Sequence, residues 1–270
     1  MSDFLTRIVA DRRADLAAAM ASVPLAALQE RASGLASAHD VAAAFRRPGI
    51  GLIAEIKRTS PAKGSLNETA DPVSLACAYA EGGAAAISVL TEPRHFNGSL
   101  DDLAAVRRAL PETPILRKDF LIDPYQVWEG RAAGADAVLV IVAIVDDRLL
   151  RTLLDVAKEA GVTALVEVAD ADETRRAVAA GAEVIGINNR NLRTFDVDLQ
   201  TTGRLRPLIP PGRVVLSLSA ISRENDVQQL IDWGVDGMLV GEALMRAADP
   251  RATAAELVRW GGGVAASPGG

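Results

Sequence analysis

The chain of 270 residues is 49% hydrophobic with a formal net charge of -6, which is ample for a substantial core and argues against a nucleic-acid or anionic-membrane partner. One cysteine, Cys77, excludes an intramolecular disulfide and suits a reducing compartment. The start, Met-Ser-Asp-Phe followed by Asp11, Arg12, Arg13 and Asp15, lacks the pattern of a secretory signal, and the longest apolar run, Ala137 to Val145, falls well short of the roughly 20 residues that span a bilayer. A soluble, cytoplasmic protein is expected.

In chain order, residues 3 to 45 carry Leu5, Ile8, Val9, Leu16, Leu25, Leu28 and Val41 at helical spacing, broken at Pro24 and around Ser33-Gly34. Residues 1–47 therefore read as an N-terminal helical extension, which either caps one end of the main body or supplies residues to a site. Next comes Gly51 to Lys57, a buried strand ending in a loop at Pro61-Ala62-Lys63-Gly64. Side chains alternate along a strand, so Glu55 and Lys57 share one face, with Ile53 and Ile56 on opposite faces. Buried charges are expensive unless paired or used, so this Glu-x-Lys is either a structural ion pair or part of a site.

From here a unit recurs: helix, Gly-containing turn, aliphatic strand. It appears at Gly82-Gly83 before Ala85 to Leu90, Gly134 before Ala137 to Ile141, Gly161 before Thr163 to Glu167, Gly181 before Val184 to Ile187, and Gly234 before Gly237 to Val240. Gly just past a helix is the expected stop, because it tolerates left-handed backbone. Cys77, in an Ala-rich helical stretch, is expected to be a buried small residue. With Gly51 to Lys57, Ile115 to Lys118 and Val214 to Ser217 the strands number eight, and helices are expected from near Pro72, Leu100, Pro124, Asp146, Ala171, Thr201, Arg223 and Thr253. Pro72 and Pro124 each follow an Asp, which suits an N-cap and a first-turn proline. Eight apolar strands alternating with helices imply an α/β fold, a (β/α)8 barrel over 48–260. The alternative, an open doubly wound sheet, lacks a Gly-x-Gly-x-x-Gly after the first strand. Residues 261–270, rich in Gly, Ala, Ser and Pro, are expected to be a disordered tail.

Barrel active sites sit at the C-terminal ends of the strands. The polar residues there are Glu55 and Lys57, Arg117-Lys118-Asp119-Phe120, Glu167, Asn188-Asn189-Arg190-Asn191, Ser217 and Ser219, and Gly241-Glu242. Each alone is weak; two lysines, two glutamates and an asparagine converging on one rim point to acid/base chemistry. The turns after the last two strands of such barrels often hold phosphate. Gly241 with Glu242, and the hydroxyls of Ser219 and Ser60, are candidates, although Gly241 equally suits an ordinary turn. His39 and His95 have no ligand partner at a recognisable spacing, so neither a metal nor a cofactor is expected.

These segments resemble the indole-3-glycerol phosphate synthase family of tryptophan biosynthesis. The resemblance is carried by Ile53-Ala54-Glu55-Ile56-Lys57-Arg58-Thr59-Ser60-Pro61, Ser88-Val89-Leu90-Thr91-Glu92, Phe96-Asn97-Gly98-Ser99, Leu116-Arg117-Lys118-Asp119-Phe120, Ala164-Leu165-Val166-Glu167-Val168, Ile185 to Leu192 and Val240 to Met245, in order over about residues 45 to 250. It implies a (β/α)8 lyase without cofactor that converts 1-(2-carboxyphenylamino)-1-deoxyribulose 5-phosphate to indole-3-glycerol phosphate by ring closure, decarboxylation and dehydration. It further implies Lys118 as general acid, Lys57 as carboxylate contact and helper in dehydration, Glu167 as general base, Glu55 as partner to the lysines, and Asn188 as the residue orienting substrate hydroxyls. Phe96, Phe120, Ile141 and Arg190 would line the anthranilate pocket, although core packing explains the three apolar residues equally well.

Where the family usually reads Ser-Glu-Ser-Gly-Ile, this chain reads Ser217-Leu218-Ser219-Ala220-Ile221. A site carboxylate is replaced by Leu218, and Ala220 stands for a glycine whose N–H helps hold phosphate. Altered turnover or phosphate affinity is the expectation. Two alternatives stay open: a catalytically impaired or silent barrel, and another sugar-phosphate enzyme such as an isomerase or Schiff-base aldolase. The expected partner is a phosphorylated small molecule, with no nucleic acid or membrane, and the chain is expected to be a monomer or weak homodimer.

Overall fold

The computed structural model describes residues 4–61, 64–67 and 69–263; Met1 to Asp3, Ala62 and Lys63 of the loop after the first strand, and residues 264–270 of the expected tail lie outside the described residues. Three helices come first, α1 (Phe4–Ser22), α2 (Leu25–Ser33) and α3 (Val41–Ala44). The chain continues through β1 (Gly51–Ile56), the hairpin strands β2 (Thr59–Ser60) and β3 (Gly64–Ser65), α4 (Pro72–Glu81), β4 (Ala86–Leu90), α5 (Pro93–Phe96), α6 (Leu100–Ala109), β5 (Ile115–Lys118), α7 (Tyr125–Ala132) and β6 (Ala137–Ile141). It ends with α8 (Asp147–Glu159), β7 (Thr163–Val168), α9 (Ala171–Ala179), β8 (Val184–Asn188), α10 (Gln200–Leu205), β9 (Val214–Leu218), α11 (Glu224–Asp232), β10 (Gly237–Val240), α12 (Glu242–Met245) and α13 (Pro250–Trp260).

Strand β1 and the run β4 to β10 form a closed parallel barrel, sealed where Ile53 pairs with Leu239. The two-residue period divides each strand. Ile53, Leu116, Leu139, Leu165, Leu216 and Leu239 fill the barrel, while Leu52, Ala54, Ile87, Val138, Val166 and Val215 pack under the helices. Burial on both faces suits any parallel α/β sheet, and it is the pairing of β1 with β10 that makes this one a closed (β/α)8 barrel rather than an open sheet.

Residues ahead of β1 reach both ends of the barrel. Below the barrel, Phe45, 1% exposed, plugs the mouth, and a Cβ on Gly237 would sit 2.5 Å from its ring, so glycine is needed there. The Ile50 N–H donates to the Gly261 carbonyl at 2.7 Å beside this plug. Helix α1 instead runs to the catalytic end, its last turn held where the Tyr125 hydroxyl donates to the carbonyls of Val23 at 2.9 Å and Ala19 at 3.2 Å.

Three local expectations change. Asp71 caps α4 as expected, its carboxylate accepting the Ser74 N–H at 2.9 Å. Pro124, however, sits at the N-cap rather than in the first turn, with Asp123 accepting the Tyr125 N–H at 2.8 Å. The Asp-Pro start occurs instead at Asp249-Pro250, three residues ahead of Thr253, where Asp249 accepts the Ala252 N–H. Cys77, on α4, is half-buried rather than enclosed. Among the described residues no helix is long and apolar enough to cross a membrane.

Candidate active site

Alternation brings Glu55, Lys57, Lys118, Glu167 and Asn188 to the inner face at the C-terminal rim, and all five line one cavity. The Lys57 ammonium donates to Glu55 Oε1 at 2.7 Å. Lys118 Nζ stands between two carboxylates, 3.9 Å from Glu55 Oε2 and 3.7 Å from Glu167 Oε2. Asn188 Nδ2 donates to Glu167 Oε1 at 2.9 Å, and Asn188 Oδ1 accepts the Arg190 N–H at 3.0 Å. Glu167 Oε2 is buried with no hydrogen-bond donor, so a lone pair remains to accept a proton.

The electrostatics follow from this geometry. Burial opposes the charge on Lys118, yet Glu167 and Glu55 together hold its ammonium above the ordinary lysine value. Burial would likewise raise the Glu55 carboxyl, but Lys57 and Lys118 keep it below the usual glutamate value. Both groups are therefore charged near neutral pH.

Not every polar residue at a strand end turns inward. Ser217 and Asn189 lie on the outer side and bond each other at 2.9 Å, with the Thr202 hydroxyl donating to Asn189 Oδ1 at 2.8 Å. Arg117 also points outward, holding Asp119 at 2.9 Å and Glu129 at 2.8 Å. One-residue offsets from Lys118, Asn188 and Leu218 send these side chains behind the sheet, where they tie strands to helices.

Two regions flank the charged centre. Phe96, Phe120, Ile141 and Arg190 border the same cavity, and the Phe96 and Phe120 rings lie 5.9 Å apart. Ser60 also borders this side. The second region is a cleft of about 710 Å³ lined by Ser219, Ala220, Gly241, Glu242, Arg190 and Arg246. Ser60 and Ser219 border the same cavity, and Ser219 also borders the cleft that holds Ala220, Gly241 and Glu242. A Cβ on Gly241 would fall 2.7 Å from Glu55 Oε1, which is why glycine stands there. Glu242 lies 3.9 Å from the Arg190 guanidinium and 3.5 Å from that of Arg246.

Ser219 and Ala220 take φ of +69° and +67°, so the turn does require left-handed backbone at the position where this chain has Ala rather than Gly. Left-handed geometry costs an L-residue about 1–2 kcal/mol. Ala220→Gly is expected to relieve most of this, partly offset by the looser unfolded chain, and to raise Tm by about 1–3 °C. Calorimetry of the two proteins checks it. Leu218 is 1% exposed inside the barrel, level with Asn188 across the β8–β9 ladder. Its bulk fits because the facing residue is Gly186, where a Cβ would meet Leu218 Cδ1 at 2.8 Å.

Several lining residues escaped sequence reasoning. Phe4 of α1 borders the ring-side cavity, its ring 6.4 Å from Phe120 and 5.2 Å from Phe195. Phe195 holds a left-handed φ of +65° in the loop after β8, its N–H donating to the Asn191 carbonyl at 2.7 Å. Phe4 lies about fifty residues before the first strand and carries no local signal of a site. The Asn188 to Asn191 run marks a polar strand end and carries no signal of Phe195 entering the cavity.

Comparison with known proteins agrees with the geometry. The family model described as indole-3-glycerol phosphate synthase matches residues 5–257. The indole-3-glycerol phosphate synthase of a Nocardioides species is 52% identical over 246 residues, covering 91% of this chain and 94% of that protein. The Rhodococcus opacus protein of the same name is 49% identical over 249 residues, with 92% of each chain covered. Among solved structures, a 3-hexulose-6-phosphate synthase superimposes with a TM-score of 0.63 at 20% identity, over 78% of this chain and 99% of that one, a likeness of fold alone. With the family match running through every barrel strand and half of all residues shared with relatives of equal length, the chain belongs to the indole-3-glycerol phosphate synthase family.

Proposed function

We propose that the chain carries the family's activity, converting 1-(2-carboxyphenylamino)-1-deoxyribulose 5-phosphate to indole-3-glycerol phosphate, carbon dioxide and water. The observation that carries this reading is one ammonium, Lys118, held between two buried carboxylates at the barrel rim, with an amide on one of them. As the aromatic carbon bearing the carboxylate attacks the ribulose carbonyl, Lys118 gives its proton to the carbonyl oxygen. Loss of carbon dioxide then restores the aromatic ring. In dehydration the hydroxyl leaves as water with a proton from Lys57, while Glu167 removes a proton from the ring carbon beside the nitrogen. The three transfers and the loss of carbon dioxide leave a net uptake of one proton per turnover. Lys57 also meets the substrate carboxylate, Glu55 pairs with both lysines, and Asn188 orients Glu167 and the substrate hydroxyls.

The ring sits among Phe96, Phe120, Ile141 and Phe4, edged by Arg190, and the phosphate lies against Ser219, Ala220, Gly241 and the first turn at Glu242. The Ser60 hydroxyl, on the same cavity as Ser219, joins the phosphate contacts. Residues 1–47 act as an extension on the 48–260 barrel. A cytoplasmic monomer or weak homodimer completes the proposal.

Mixing purified protein with the substrate and following indole fluorescence tests it. Fluorescence is expected; its absence, with binding seen by calorimetry, would sink the reading and favour an impaired barrel, the alternative that Leu218 motivates. Leu218→Glu is expected to raise kcat about fivefold, the equivalent of about 1 kcal/mol, by adding a carboxylate beside Asn188. Unchanged kinetics would show that position 218 does not limit turnover.

A further inference from the structure

We propose that Arg12, on the N-terminal helix, is a positioning residue for Lys118, acting through Asp119. The inference rests on Lys118 being the acid of the proposed reaction. Arg12 is 6% exposed, and its guanidinium spans both oxygens of Asp119, Nε lying 3.2 Å from Oδ1 and the outer nitrogen 3.3 Å from Oδ2. Asp119 follows Lys118 directly. Its carboxylate also accepts the Thr91 hydroxyl at 2.7 Å, Arg117 at 2.9 Å and the Phe120 N–H at 2.8 Å. The Thr91 N–H in turn donates to the Lys118 carbonyl at 3.0 Å. Arg117 and Asp119 thus form a clip on the outer side that straddles Lys118, while its ammonium points into the barrel between Glu55 and Glu167.

Arg12 is poorly explained as a mere anchor for α1. That helix is already held by Asp15 on Arg94, by Asp11 on His95 at 2.8 Å, and by the Tyr125 hydroxyl at its last turn. What Arg12 adds is a buried charge on Asp119, with one hydrogen bond from its outer nitrogen to Oδ2 at 3.3 Å and Nε 3.2 Å from Oδ1 without donating to it. The charges around the clip are Arg12, Arg117, Asp119, Glu129 and Asp15. Those around the Lys118 ammonium are Glu55 and Glu167, with Lys57, Asp119 and Arg190 bordering the same cavity. With Arg12 gone, Asp119 keeps Arg117 and Thr91 but pivots, and the Lys118 ammonium drifts from its carboxylates.

The test uses the full chain with Arg12→Met, which keeps the stem, and Arg12→Lys, which keeps the charge. Lysine side chains are labelled with carbon-13, and the Lys118 signal is assigned from its loss in Lys118→Arg. Arg12→Met is expected to lower kcat about tenfold with KM within about twofold, as a small misplacement of an acid would. Its Lys118 is expected to titrate at lower pH than in the parent, because the two carboxylates no longer hold its charge, and Arg12→Lys should recover most of both. A folded Arg12→Met with parental kcat and an unmoved Lys118 titration overturns the proposal. If Arg12→Met does not fold, Arg12→Lys decides alone: a partial loss of kcat with a smaller shift supports positioning, and parental behaviour in both overturns it. Absence of turnover in the parent would defeat the functional reading, while the titration still judges the link from Arg12 to Lys118.

Discussion

Lys118→Ala is expected to abolish measurable indole formation, a loss of about 10³–10⁴ in kcat, at the upper end of what one positioned proton donor supplies. Among the described residues no other cation is placed to replace it with equal effect. Lys57 is committed to Glu55 at 2.7 Å, and the Arg190 guanidinium leans toward Glu242. The same variant gives a pH test with a defined sign. Burial favours the neutral amine of Lys118, but Glu167 and Glu55 outweigh it and lift the ammonium above the ordinary lysine value. The acid therefore stays loaded through neutral pH, and the loss of parental activity that Lys118 sets is expected on the alkaline side. A group whose folded value is raised contributes stability that is fully present below its unfolded value, about 10.4, and lost as pH rises through the folded one. Parental Tm should thus drop in strong alkali relative to Lys118→Ala. A near-parental fluorescence rate in a folded Lys118→Ala protein would move the acid role elsewhere.

Glu167→Gln is the second large effect, with an expected loss of about 10²–10³ in indole formation. The substitution keeps an oxygen to accept from Asn188 Nδ2, now 2.9 Å from Glu167 Oε1, so the local frame survives. What disappears is the free lone pair of the buried Oε2. Ring closure and loss of carbon dioxide do not need that base, whereas dehydration does. Carbon dioxide is therefore expected to be released faster than indole fluorescence appears, with the hydroxylated ring accumulating between them. Measuring both signals after rapid mixing separates the steps. Equal suppression of both would instead mean that Glu167 acts mainly by holding Lys118.

Both expectations concern residues that were legible early, and for a physical reason. Glu55, Lys57, Lys118, Glu167 and Asn188 each sit at an even offset from an inward aliphatic residue of the same strand, and strand ends in a parallel barrel converge on one rim. The period that revealed them also explains the errors. Arg117, Asn189 and Ser217 are polar and end strands too, but an odd offset places them behind the sheet. The misplaced proline start at Pro124 has a similar origin, since Asp-Pro occurs at both 123–124 and 249–250 and the dipeptide alone does not say in which one the proline enters the helix.

The amino-acid sequence by itself determined the eight-strand barrel, the rim where the charged residues collect and the departure at Leu218 and Ala220, because each depends on periodicity and on residues close together in the chain. Only the tertiary structure decided that the 219–220 turn is left-handed, that Gly186 makes room for Leu218, that Phe4 and Phe195 close the ring side, and that Arg12 reaches Asp119. The α1 contacts join segments far apart in sequence, 107 residues for Arg12 and Asp119 and more for Phe4 and Phe195. No local pattern encodes them, since they are set by how α1 lies across the finished barrel, while the room for Leu218 is set by the pairing of neighbouring strands.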